Sequence, residues 1–64
     1  MAGYTRKLKL ILTKNGCYLH ERGKGDHDNW YSPISKIKFT VDGNIKSRHT
    51  ANAVLKQAGL TKEF

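Results

Sequence analysis

The 64-residue sequence predicts an α+β fold in the order helix, three strands, helix: a three-stranded antiparallel sheet with both helices packed on one face. Three observations lead there. Apolar residues recur at helical spacing near both ends of the chain, and between them they alternate along three short stretches. Those stretches are separated by turn formers, Gly23-Lys24-Gly25-Asp26, Ser32-Pro33-Ile34-Ser35 and Asp42-Gly43-Asn44. Short connections make the strands a meander, and a sheet covered on one side by two helices is a stable layered arrangement.

The first helix is expected near residues 5–15. Tyr4, Leu8, Ile11 and Leu12 follow the i, i+4, i+7, i+8 rule of one helical face, while Arg6, Lys7, Lys9 and Lys14 take the other sides. Thr5 is the expected N-cap, and Asn15-Gly16 supplies a left-handed stop. Residues 17–22 alternate Cys17 and Leu19 with Tyr18, His20 and Arg22, the period-2 pattern of a half-covered strand. The Gly-Lys-Gly-Asp turn leads into a second strand over residues 27–32, where Asp28 and Trp30 share one face and His27, Asn29 and Tyr31 the other. Trp30 is the largest apolar group in the chain, so its face is assigned to the helices. His27 and Tyr31 then lie on the open side.

Pro33 cannot donate a ladder hydrogen bond and ends this strand. A third strand is expected over residues 36–41, with Ile37, Phe39 and Val41 inward and Lys36, Lys38 and Thr40 outward, on the side of His27. Thr50 is the expected cap of the last helix, and Ala51, Val54, Leu55 and Ala58 make its apolar stripe. Gly59 closes it, Leu60 supplies the contact that follows a glycine cap, and the tail folds back through Phe64. The order matches the topology of double-stranded-RNA-binding domains.

Size and charge narrow the function. A chain this short buries only ~60% of the surface its unfolded form exposes, so residues 1–64 are expected to form one domain whose site is a surface feature meeting an extended partner. Twelve Lys and Arg against five Asp and Glu give a net charge of +7, which favours a polyanion. No apolar run approaches the ~18 residues needed to span a bilayer, and no signal-peptide core is present, so nucleic acid rather than membrane is the expected partner. Cys17 alone cannot form an internal disulfide, which points to the cytoplasm and to a buried apolar role. The three histidines and one cysteine do not fall at zinc-ligand spacing; no metal and no small-molecule cofactor are expected.

The chemistry concentrates between Arg22 and Tyr31. Two glycines flank Lys24, and Asp26, His27, Asp28 and an aromatic pair follow. Imidazole, with an unperturbed pKa of ~6.5, both accepts and donates a proton near neutral pH, which makes His27 the candidate catalytic residue. His20 is a secondary candidate on the same expected face as Tyr18 and Arg22; its plain reading is a solvated strand residue.

The helix ending in Asn15-Gly16, the Gly25-Asp26-His27 motif with aromatics three and four positions on, and the closing Leu55-Lys56-Gln57-Ala58-Gly59-Leu60 run resemble HicA-type toxins of bacterial toxin–antitoxin pairs, over nearly the whole chain. The resemblance implies a double-stranded-RNA-binding-like fold, a ribosome-independent mRNA interferase activity, and neutralisation by a HicB-type antitoxin that covers the active surface. It places the catalytic histidine at His27. Members commonly carry Ser at the place of Asp26 and a second His at the place of Asp28.

On this reading His27 takes the proton of a ribose 2′-hydroxyl, whose oxygen attacks the neighbouring phosphorus. Lys24 and the turn amides, Gly25 among them, stabilise the phosphate charge. Tyr31 and Tyr18 stack an unpaired base, while Arg22, Lys36 and Lys38 position the RNA backbone. Asp26 and Asp28 either orient the imidazole or serve the turn, and the role of His49 stays open. The rival readings are a non-catalytic basic RNA-binding module and a subunit whose basic face docks an acidic protein.

Overall fold

A computed structural model describes residues 3–23, 25 and 27–64. The chain runs α1 (Thr5–Lys14), β1 (Tyr18–Arg22), β2 (His27–Ser32), β3 (Ile37–Asp42) and α2 (Arg48–Gln57). The strands form one antiparallel sheet in the order β1-β2-β3, the expected meander.

Helical spacing puts Leu8 and Leu12 of α1 fully out of solvent, with Tyr4 and Ile11 packed beside them. The helix stops where Gly16 turns left-handed at φ +88°, and Cys17 N–H reaches back to the Leu12 carbonyl at 2.9 Å. Its start differs from expectation: the N-cap is Tyr4, with no capping side chain. Thr5 has a longer-range task instead. Its Oγ1 donates to the Asp42 carbonyl (3.1 Å) and accepts from Ile45 N–H (2.8 Å), so it ties α1 to the segment joining β3 and α2.

Burial divides the sheet into two faces. Trp30 and Ser32 of β2 and Phe39 and Val41 of β3 are buried, paired Trp30 with Phe39 and Asp28 with Val41 across the ladder. They join Ala51, Val54, Leu55 and Ala58 from α2 and Leu8 and Leu12 from α1 in one core. Alternate residues of β2 and β3 face away from it.

β1 departs from the half-covered strand expected of it. Cys17 is buried ahead of it, but all five residues of β1 are exposed, leaving it an uncovered edge. Its ladder also slips: Leu19 pairs with Trp30, Glu21 pairs with Asn29, and His20 is the extra residue of a β-bulge between them. The bulge reverses the alternation beyond it. Arg22 falls opposite Asp28 on the helix-covered face, not on the open face with Tyr18. β3 likewise begins at Ile37, one residue late, because Lys36 belongs to the preceding turn, with φ +59° and its N–H on the Ser32 carbonyl at 2.8 Å.

Ser47, not Thr50, caps α2, accepting from His49 N–H at 3.2 Å. At its other end Gly59 takes φ +83°, and Leu60 N–H bonds the Leu55 carbonyl at 2.8 Å while its side chain packs on the core. The tail folds back as expected. Phe64 meets Tyr4 edge-to-face at 5.2 Å, and its backbone is held by the Asn52 amide through bonds of 3.1 and 3.2 Å.

One buried polar group fastens the layers. Ser32 is fully buried; its Oγ donates to the Ala58 carbonyl at 2.6 Å and accepts from the N–H groups of Ile34 (3.2 Å) and Ser35 (3.3 Å). The end of β2, the following turn and the end of α2 therefore meet at one hydroxyl.

Candidate nucleic-acid interface

The helices occupy one side of the sheet, so whatever β2 presents on the other side is available to a partner. His27, Asn29 and Tyr31 alternate onto that open face, two residues apart, at about 7 Å per step for an antiparallel strand. His27 is the first residue of β2; its side chain is exposed and lies in register with Asp42. Asp42 has its own local task, since Oδ1 accepts from Asn44 N–H at 3.0 Å.

The hairpin that delivers His27 depends on Gly23. A Cβ there would run into the His27 carbonyl, so the two strands close only because residue 23 has no side chain. Gly25 takes φ +63° at the tip, with open space around its α-carbon. Lys24 and Asp26 lie outside the described residues.

Four residues from His27, at the far end of β2, Tyr31 stands directly opposite Tyr18, their ring centroids 5.6 Å apart and tilted by 46°. On its other side Tyr31 pairs with Lys38 of β3, which is exposed. The open face thus carries an imidazole at one end and two aromatic rings with a cation at the other. That combination suits a single strand of nucleic acid, whose bases stack on rings and whose phosphates seek cations.

The remaining expected contacts are dispersed. Arg22 sits on the helix side opposite Asp28, where Lys9 Nζ of α1 lies 3.6 Å from Asp28 Oδ2. Alternation puts Asp28 on the Trp30 side of β2, and its carboxylate is engaged there with α1. Lys36 lies in the turn beyond Ser32, at the opposite end of the β2–β3 hairpin from His27. His49 is on α2, exposed in its first turn.

A profile of the family described as HicA toxin of bacterial toxin-antitoxin matches residues 5–60 of the 64. The chain belongs to the HicA toxins. The match runs from the first residue of α1 to the glycine stop of α2 and Leu60, so it takes in the whole sheet and both helices. A HicA toxin works as one half of a pair, and membership brings with it a cognate antitoxin. No curated protein and no solved structure matches the chain. Among the described residues no cluster of three or more His, Cys, Asp or Glu is close enough to hold a metal ion, and no helix of this HicA toxin is long and apolar enough to cross a membrane.

Sequence reasoning missed Gly23, Ser32 and Glu21. The local pattern marks Gly23 only as half of a turn and Ser32 only as a strand end before proline. Nothing in the local pattern singles out Glu21. A strand with one residue too many for its partner leaves no mark on local periodicity, so the bulge is visible only in the pairing.

Proposed function

We propose that this HicA toxin is an endoribonuclease that cleaves messenger RNA without the ribosome, with His27 as its proton-transfer group. The observation that supports it most directly is the exposed imidazole at the start of β2, on the face the helices leave bare, in a chain of net charge +7. His27 takes the proton from a ribose 2′-hydroxyl. The 2′-oxygen attacks the adjacent phosphorus, the bond to the 5′-oxygen breaks, and solvent protonates that oxygen as it leaves. The products are a 2′,3′-cyclic phosphate and a 5′-hydroxyl end.

Charge builds on the phosphate as the 2′-oxygen adds. The stabilising role is assigned, on the sequence pattern alone, to Lys24 and the Gly25 amide, in the manner of an oxyanion site. Tyr18 and Tyr31 hold an unpaired base by stacking, and Lys38 beside them holds a phosphate without reading sequence. Arg22 and Lys36 contribute only at the margins, one from the helix side and the other from the far turn. General acid–base help of this kind is worth roughly 10²–10⁴-fold, so turnover is slow. The antitoxin neutralises the enzyme by occupying the same open face, which hides His27, Tyr31 and Lys38 together.

The test uses purified protein and RNA, with and without a chelator. Cleavage should survive EDTA and leave cyclic phosphate ends, and His27→Ala should lower its rate by at least about 100-fold while RNA binding and the circular dichroism spectrum stay unchanged. A His27→Ala variant that cleaves at the wild-type rate sinks the assignment. Wild-type protein that binds RNA and never cleaves it establishes the non-catalytic module instead.

A further inference from the structure

Glu21 is the anomaly on the open face. A carboxylate on a surface built to meet phosphate is repelled by its own ligand. Yet the bulge at His20 brings Glu21 into register with Asn29, onto the side of His27 and Tyr31. Among the described residues no Lys, Arg or His lies within ion-pair distance of it, whereas Asp28 is paired with Lys9 and Asp42 caps Asn44 N–H. Charge balance among the described residues therefore does not account for Glu21.

Its surroundings suggest a use. His20, Glu21, Asn29, Lys38 and Thr40, with Phe39 beneath, line a shallow groove of about 260 Å³ on the open face. Thr40 Oγ1 donates to Asn29 Oδ1 at 3.3 Å, which orients the Asn29 amide and leaves its Nδ2 hydrogens for a ligand. The groove thus offers a carboxylate acceptor, an amide donor and an ammonium donor. Asn29 stands two residues from His27, about 7 Å along β2, comparable to one nucleotide of an unstacked strand.

We infer that this groove is a base-reading subsite, in which Glu21 and Asn29 select a guanine in the nucleotide next to the cleaved bond. The inference rests on the open face being the RNA-facing one. Guanine alone among the four bases presents two adjacent N–H donors, N1 and N2, on its pairing edge, the complement of one carboxylate. Its neighbouring O6 accepts, which suits Asn29 Nδ2, while Lys38 at the groove's edge holds the adjoining phosphate. Adenine and cytosine offer Glu21 a single amino donor, and uracil a single ring N–H. On this arrangement β2 carries proton transfer at His27, base identity at Asn29 and stacking at Tyr31, in three successive steps.

Four short RNAs, identical except for A, C, G or U at the nucleotide flanking the mapped cleavage site, test the subsite. Wild-type protein should cleave the guanine substrate with kcat/KM at least about 10-fold above each of the others. Glu21→Gln should bring that ratio to within about 2-fold of one, with thermal midpoint unchanged, because the amide offers only one acceptor in place of two. Equal cleavage of all four RNAs by the wild type, preference for another base, or a guanine preference that Glu21→Gln leaves intact would overturn it. Should no RNA be cleaved at all, the nuclease reading fails by itself, and equilibrium binding of the same RNAs decides the subsite. A guanine preference in binding that is lost in Glu21→Gln upholds it, and equal affinities reject it.

Discussion

Ser32→Ala should cost this protein more stability than any other removal of a single oxygen. The hydroxyl is fully buried and serves three partners: the Ala58 carbonyl at 2.6 Å and the N–H groups of Ile34 and Ser35 at 3.2 and 3.3 Å. Its loss leaves a buried carbonyl without a donor, a penalty of about 1–3 kcal/mol, and weakens two bonds in the turn that are individually worth less. A total of roughly 2–3 kcal/mol follows. In a domain of this size each kcal/mol moves the thermal midpoint by about 4–8 °C, so the variant should melt roughly 8–24 °C lower. Ser35→Ala is the matched control. Its Oγ is buried without a hydrogen-bond partner among the described residues, so its removal should be neutral or slightly stabilising. Thermal unfolding followed by circular dichroism measures both. A Ser32→Ala variant within about 0.5 kcal/mol of wild type, or a Ser35→Ala variant equally damaged, would refute the idea that this hydroxyl fastens the sheet to α2.

Three further outcomes follow from the faces of the sheet. Gly23→Ala should destabilise by about 1–3 kcal/mol and slow RNA cleavage as well, because its Cβ collides with the His27 carbonyl and displaces that strand end; a variant matching wild type in melting and rate would show that the hairpin can relax. Tyr31→Ala, which removes half of the Tyr18–Tyr31 pair, should weaken single-stranded RNA by about 1–3 kcal/mol in a fluorescence anisotropy titration, with little dependence on base. Lys38→Ala should lower the slope of log affinity against log salt by about one in the same titration, whereas a slope equal to wild type would remove Lys38 from the phosphate contacts.

The two helices and the three strands were legible in the sequence because each rests on a repeated pattern, and the inward face of Trp30 because no other apolar group in the chain is as large. Periodicity over several residues averages out local ambiguity. What the sequence concealed depends on single atoms or on partners remote in the chain. Ser47 and Thr50 are both capping residues, and only the direction of the entering backbone selects Ser47. Thr5 looks like a cap, but Asp42 and Ile45 arrive next to it and take its hydroxyl. Counting in twos from Tyr18 puts Arg22 on the open face, and the bulge at His20 makes that count wrong by one. Lys36 reads as the first outward residue of a strand, yet a connection as tight as Pro33–Lys36 needs one residue at positive φ, and Lys36 adopts it. The face that His27 occupies does not depend on β1, because Trp30 fixes the alternation of β2 independently.

That independence bears on how so small a protein holds a reactive face. Along β2 the even-numbered residues Asp28, Trp30 and Ser32 serve the fold: an ion pair to α1, the largest core side chain, and the hydroxyl that anchors α2. The odd-numbered residues His27, Asn29 and Tyr31 have no part in the core and are free to vary with the ligand. A strand's period of two allows both sets to share six residues without competing for the same space. Substitutions on the odd set should therefore change RNA handling at nearly constant stability, and substitutions on the even set should do the reverse. The exception is the hairpin: Gly23 touches the backbone of His27, so there the requirements of folding and of chemistry fall on the same atoms.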